Sequence, residues 1–336
     1  EQSKNALKEK IWLLQWEKFD RYCLKQVERK NHYKVIETLE GHRGPVFTLQ
    51  VLPDGRIVSG GYDGTIKIWE KDPSGHYQII EALEGHTDSV FTLQVLPDGR
   101  IVSGCYDGTI KIWKKDTHGH YKVTETLEGH TNWVNALQVL PDGRIVSGSG
   151  DHTIKIWEKD SSGLYQVTET LEGHTGSVYT LQVLPDGRII SGSGDGTIKI
   201  WKKDPSGLYQ VTETLEGHNS WVNTLQVLPD GRIVSGSGDN TIKIWKKDPH
   251  GLYQVTETLE GHFGAVMILQ VLPDGRIVSG SDDDTIKIWE KDSSGLYQVT
   301  ETLEGHTNLV YTLQVLPDGQ IVSGGRDHTI KIWDGK

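Results

Sequence analysis

The sequence predicts an all-β chain: a closed ring of seven four-stranded sheets. Three observations carry that expectation. A Gly-His pair recurs at Gly41-His42, Gly85-His86, Gly129-His130, Gly173-His174, Gly217-His218, Gly261-His262 and Gly305-His306, always 44 residues apart. A fixed period in the 20–50 range marks a repeat architecture. Each repeat holds four short apolar segments separated by turn residues. The chain also begins with one spare segment and ends one segment short.

The fourth copy shows the unit. Its segments are Val178–Leu184, Arg188–Ser191, Thr197–Lys202 and Leu208–Leu215. Pro185-Asp186-Gly187, Gly194-Asp195-Gly196 and Asp204-Pro205-Ser206-Gly207 lie between them. Pro and Gly supply tight-turn dihedrals, and Asp bonds its own backbone there. Val, Ile, Thr and Tyr at strand length predict antiparallel strands. Ile198 and Ile200 alternate with Thr197 and Lys199, which predicts a buried face. One such sheet has nothing to bury its faces against. Seven arranged radially pack face on face, which is a β-propeller with only short, protected edges.

The ends complete the ring. Tyr33–Glu40, YKVIETLE, matches the last segment of a unit but precedes the first Gly-His, and the seventh copy stops at Trp333-Asp334-Gly335-Lys336. Strand 33–40 is therefore expected to pair into the last blade and close the ring. The propeller would span 32–336. Residues 1–31 stand outside the repeat. Trp12, Trp16, Phe19, Cys23 and Val27 recur at helical spacing, which predicts an N-terminal amphipathic helix over roughly residues 4–30. Its expected roles are packing on the propeller flank or joining a further domain or partner; a membrane-surface role is the weaker alternative, because acidic residues share its polar face.

Charge and cysteines narrow the function classes. Formal net charge is −11; residues 1–31 carry eight Lys/Arg against five Asp/Glu, +3, which leaves −14 for the rest. An acidic ring disfavours nucleic acid, whose binding is driven by phosphate neutralisation. No run of 18 apolar residues predicts a membrane span. Cys23 and Cys105 offer no disulfide framework, which points to a reducing, cytoplasmic compartment.

Each copy contains a His, a Ser, an Asp and a Trp at fixed offsets: His42, Ser59, Asp63 and Trp69 in the first, His174, Ser191, Asp195 and Trp201 in the fourth. Ser, His and Asp together resemble a nucleophilic triad, but seven identical triads suit a scaffold better than a catalyst. Gly-His at the start, the Asp, and Ile-Trp near the end make the unit resemble the WD-repeat (WD40) β-propeller family. The resemblance covers Tyr33 to Asp334, although only Trp333-Asp334 keeps the Trp-Asp pair and the other copies read Trp-Glu or Trp-Lys. It implies that the four residues form a structural hydrogen-bond chain, and all seven sets are complete in sequence.

Comparing the copies with one another locates the variation. The fifth residue after the start of Gly-His reads Pro45, Ser89, Trp133, Ser177, Trp221, Ala265, Leu309, and the seventh reads Phe47, Phe91, Asn135, Tyr179, Asn223, Met267, Tyr311. The residue before the Asp reads Tyr62, Tyr106, Gly150, Gly194, Gly238, Asp282, Arg326, and the one after it Gly64, Gly108, His152, Gly196, Asn240, Asp284, His328. One reading is drift in exposed loops; against it, the equally exposed Pro-Asp-Gly turns stay intact in every copy, which favours a binding face. In the resembled family both stretches open on the narrower top face.

The expected binding residues are Arg43, Phe47, Tyr62, Phe91, Tyr106, Trp133, Tyr179, Trp221, Met267, Tyr311 and Arg326, with aromatics crowding the closure and Trp133 and Trp221 forming a second centre. Aromatic, Met and Arg side chains carry interface energy. The leading expectation is a non-catalytic module that binds a protein or peptide across this rim. The pattern resembles sensor proteins whose near-identical WD repeats accompany a nucleotide-binding domain, which leaves room for such a domain ahead of residue 1.

The alternatives are a multivalent, lectin-like carbohydrate binder and an enzyme. The lectin would use Tyr77, Tyr121, Tyr165, Tyr209, Tyr253 and Tyr297, or the rim Trp133 and Trp221; the more economical reading of the tyrosines has them cover a sheet edge. No cofactor or metal is expected. Asp282-Asp283-Asp284 lacks calcium-loop spacing, and His118 with His120 lacks further ligands.

Overall fold

A computed structural model describes residues 32–335, apart from 97 and 185. The expected helix within 1–31 lies outside the described residues. Twenty-eight strands follow in chain order. β1 (Lys34–Glu40) comes first. β2 (Val46–Val51), β3 (Ile57–Gly61), β4 (Ile66–Lys71) and β5 (Tyr77–Leu83) make the first blade, and β6 (Val90–Val95), β7 (Ile101–Cys105), β8 (Ile110–Lys115) and β9 (Tyr121–Leu127) the second. The pattern continues to β25 (Tyr297–Leu303), and β26 (Val310–Val315), β27 (Ile321–Gly325) and β28 (Thr329–Asp334) begin the last sheet. Among the described residues there are seven four-stranded sheets.

The last sheet runs β1-β28-β27-β26. Its fourth strand is thus the first strand of the chain. β1 lies antiparallel to β28, with Lys34 opposite Asp334 and Glu40 opposite Thr329. Leu39 on β1 joins Val46, Leu49 and Trp69 of the first blade and Leu316, Val322 and Ile332 of the last in one buried cluster. Tyr33 takes the place of the outer-strand tyrosines found in the other copies, and its amide donates to Glu301 Oε1 at 2.6 Å.

Burial follows position in the blade. Every residue of β3 is buried, and so is every residue of the matching strand in the other blades. The single buried face inferred from alternation is therefore incomplete, because neighbouring sheets cover both sides of the middle strands. The outer strand is covered only at its two ends; β9 is buried at Tyr121 and Leu127 and mostly exposed between them. Close stacking also explains the Ser-Gly pair inside β3. A methyl group on Gly60 would lie 2.7 Å from Val90 Cγ1 and 2.9 Å from Thr48 Cγ2. No larger residue fits there without moving the next blade.

Candidate functional site

The His, Ser, Asp and Trp form a continuous hydrogen-bond chain inside six of the seven blades. In the fourth blade the Trp201 indole N–H donates to Ser191 Oγ at 2.8 Å, Ser191 Oγ lies 2.7 Å from His174 Nε2, and His174 Nδ1 lies 2.8 Å from Asp195 Oδ2. Indole is only a donor and an ionised carboxylate only an acceptor, so Ser O–H donates to Nε2 and Nδ1–H donates to the carboxylate. The Ser of all seven chains is fully buried. A hydroxyl held between indole and imidazole with no exposed surface has no access to a substrate.

Each Asp then ties the chain to the loops. Asp195 also accepts from the Thr175 amide at 3.0 Å and the Thr197 hydroxyl at 2.7 Å. Burial alone would raise these carboxyls, but the hydrogen bonds from His, Thr and backbone outweigh it. Asp63, Asp151, Asp195, Asp283 and Asp327 lie well below the ordinary value, and Asp239 falls to about 2.

The second blade departs from the pattern that its complete sequence set implies. His86 Nε2 is 2.6 Å from Ser103 Oγ, but His86 Nδ1 stands 3.6 Å from Asp107 Oδ2 and has no hydrogen-bond partner. The difference lies at Cys105. Four other blades carry Ser149, Ser193, Ser237 or Ser281 there, and two carry Gly61 or Gly325. The thiol donates to the Asp88 carbonyl at 3.2 Å and accepts from the Asp107 amide at 3.4 Å, whereas the corresponding Ser149 contacts are 3.0 and 3.1 Å. Burial pushes the Cys105 thiol up to about 12, so it keeps its proton.

The variable positions meet on one edge of the ring. In every blade the amide of the residue before the network Asp donates to the carbonyl of the fifth residue: Tyr62 to Pro45, Tyr106 to Ser89, Gly150 to Trp133, Gly194 to Ser177, Gly238 to Trp221, Asp282 to Ala265 and Arg326 to Leu309, all at 2.8–2.9 Å. The seventh residue sits beside them in a β-bulge. Val46 faces Gly61 and Thr48 faces Gly60, which leaves Phe47 unpaired, and the same register shift recurs in each blade. Bulges re-aim side chains and mark sites.

The bulge aromatics touch across blades. Tyr311 lies 5.0 Å from Phe47 and Phe47 lies 4.8 Å from Phe91, centroid to centroid. Phe91 then meets Tyr106 at 5.9 Å and Trp133 at 6.3 Å. Tyr106 and Trp133 stack at 5.2 Å with planes 21° apart. One aromatic band therefore spans the seventh, first, second and third blades. Trp133 belongs to this band, so it forms no second centre with Trp221. Trp221, over half exposed, pairs instead with Tyr179 at 6.1 Å.

Tyr62 is exposed at 61% and covers Gly44, where a methyl group would lie 2.8 Å from its Cβ. Arg43 and Arg326 are exposed, and Met267 is half-buried with its sulfur 3.8 Å from Asn223 Nδ2.

The pattern of the WD domain, G-beta repeat, matches residues 33–70, 77–114, 121–158, 165–202, 209–246, 253–290 and 297–334. The chain belongs to the WD-repeat family. A solved structure, the WD40 beta propeller domain of Doa1, superposes with a TM-score of 0.76 at 27% identity, covering 90% of this chain and 97% of that one. It is one of 1560 matching chains of known structure, a breadth that makes the fold uninformative about any one ligand. No curated protein sequence matches.

As in each WD repeat here, some diversity is structural. His152, Asn240, Asp284 and His328 have φ of 65–70° where other copies place Gly. Only Gly, Asn, Asp and His adopt that conformation readily, so choice after the Asp is restricted by the backbone. Asn135 and Asn223 donate to the Val178 and Val266 carbonyls of the next blade, so at these bulges the residue ties inner strands together. Comparison of copies also missed Phe263. It is 92% exposed on the rim, at the position that reads Thr in four other copies.

The six outer-strand tyrosines are buried against the preceding blade. Tyr209 and Tyr253 are buried, and their hydroxyls donate to the Gly187 and Gly231 carbonyls at 2.9 and 3.0 Å. A lysine covers each ring, Lys203 in the case of Tyr209. They cover no open edge and offer no sugar platform.

Proposed function

We propose that this WD-repeat chain is a non-catalytic recognition module that binds a protein or peptide segment across its top rim. The observation that carries the reading is the aromatic band Tyr311, Phe47, Phe91, Tyr106 and Trp133, formed from bulge and loop positions of four consecutive blades. The scaffold beneath it is nearly invariant from copy to copy. Rigid aromatics give large contact area at low entropic cost, and Arg adds directed hydrogen bonds. Arg43 and Arg326 stand exposed at variable positions of the first and seventh blades, which also supply Phe47 and Tyr311, on a chain of net negative charge. The ligand favoured by this composition is basic or apolar with one carboxylate or phosphate for the arginines.

The multivalent carbohydrate reading loses its six-tyrosine platform, and the buried serines give no support to an enzyme. Panning a displayed random-peptide library against the full chain, with a glycan array beside it, tests the reading. Selected peptides that lose binding when Phe47 and Tyr106 are changed support it. Glycan binding without peptide binding contradicts it.

A further inference from the structure

We propose that His86 Nδ1, Cys105 Sγ and an Asp107 carboxylate oxygen form a zinc site at the rim of the second blade. Among the described residues this is the one His/Cys/Asp/Glu cluster whose donor atoms all lie within 4.8 Å of one another. The His86 side chain is fully buried and its Nδ1 is unpaired, while the equivalent atom in the other six blades lies 2.8–3.0 Å from its Asp. A buried ring nitrogen aimed at a carboxylate and a thiol is a ligand in place. Neither Ser nor Gly at the Cys105 position opens the His–Asp gap; only the thiol does.

The donor set suits zinc, and one of its three donor separations already matches. Imidazole, thiolate and carboxylate bind it at about 2.0–2.3 Å in tetrahedral geometry, which sets donor–donor separations of roughly 3.3–3.6 Å. The 3.6 Å between His86 Nδ1 and Asp107 Oδ2 already meets that distance. Supporting contacts are also present. With the ion on Nδ1, the ring carries its proton on Nε2 and donates to Ser103 Oγ, 2.6 Å away, which reverses the direction in the other blades and makes Ser103 Oγ accept from both His86 and Trp113. Thr109 Oγ1 donates to Asp107 Oδ1 at 2.6 Å and Thr87 Oγ1 to Oδ2 at 3.1 Å, which fixes the carboxylate.

Binding is a proton exchange: the S–H bond breaks, the proton leaves to solvent and the S–Zn bond forms. Thiolate and carboxylate then balance the 2+ charge. The Asp107 side chain, 18% exposed, leaves a solvent side for a water as fourth ligand. Tyr106 lies between two of these ligands, so the ion would also pin the turn that stacks Tyr106 on Trp133. His86, Cys105 and Asp107 follow no linear motif, which is why the sequence raises no expectation of a metal here.

The test is a titration of the chelator-treated full chain with Co²⁺, followed by displacement with Zn²⁺, in wild type, Cys105→Ser and Cys23→Ser. Ser is native at this position in four other blades, so Cys105→Ser is expected to fold. The expected result is one equivalent of Co²⁺ with a thiolate-to-cobalt absorption band, unchanged in Cys23→Ser. In Cys105→Ser the band vanishes and Zn²⁺ affinity falls at least about 100-fold, more than loss of an outer-shell partner alone produces. Absence of the band at saturating Co²⁺, or equal Zn²⁺ affinity in Cys105→Ser and wild type, overturns the proposal.

Discussion

The Tyr209 hydroxyl donates to the Gly187 carbonyl at 2.9 Å, across the turn at the foot of the same blade. Its ring is buried among Leu140, Val146 and Ile154 of the preceding blade and Trp201 of its own. Its backbone amide bonds Glu169 of the preceding blade. The tyrosine therefore joins two blades. Tyr209→Phe is expected to cost about 0.5–1.5 kcal/mol, one hydrogen bond. Tyr209→Ala is expected to cost about 3–5 kcal/mol, as for other buried aromatics. Denaturant melts check both; a neutral Tyr209→Ala would return the residue to the surface.

Ring closure depends on β1. Removing residues 1–40 takes away Leu39 and the whole β1 ladder on the outer side of β28, leaving an open edge that invites association. We expect the 41–336 chain to oligomerise and melt lower, and the 32–336 chain to remain monomeric. Light scattering and calorimetry read both. A monomeric 41–336 chain with an unchanged melting temperature would show that β1 does not close the ring.

The buried networks set a second stability scale. Ser191→Ala leaves the Trp201 indole and the His174 ring without their shared partner, and is expected to cost about 1–3 kcal/mol. The loss should appear equally with and without any ligand. A melting curve identical to that of wild type would mean the chain contributes nothing.

The network aspartates fix the acid limb. Their folded values lie below the unfolded value of about 3.9, at about 2 for Asp239. As pH falls the unfolded state takes protons first, so this stabilisation is complete above about pH 4 and drains away below it. His218 is held low by burial against the pull of Asp239, so a smaller loss begins under about pH 6.5. The melting temperature should decline gently from pH 6.5 to 4.5 and steeply beneath 4. A rise on acidification from pH 7 to 5 would reverse the sign.

Repeat period and turn chemistry made the ring legible from sequence. The exact 44-residue spacing and the displaced strand at Tyr33–Glu40 contain the architecture and its closure. Three-dimensional neighbours were less accessible. Tyr209 reads as an edge residue because its own strand is exposed around it, while the blade that covers it lies a full repeat away in sequence. Trp133 joins Tyr106 only because adjacent bulges face each other. The gap at His86 arises from one sulfur atom, and no pattern of residue types records a shift of less than 1 Å.

The central claim is that the rim, and not the outer surface, is the binding face. The decisive measurement compares two double variants on the same selected peptides. Phe47→Ala with Tyr106→Ala removes two members of the band. Leu164→Ala with Leu208→Ala removes two outer-turn side chains, each 50% exposed. Each band aromatic is expected to contribute about 2 kcal/mol or more. Peptide affinity should therefore fall beyond detection in the first pair and stay at the wild-type value in the second, with both melting temperatures near wild type. Equal retention by both pairs, or loss confined to the Leu164/Leu208 pair, would contradict the account.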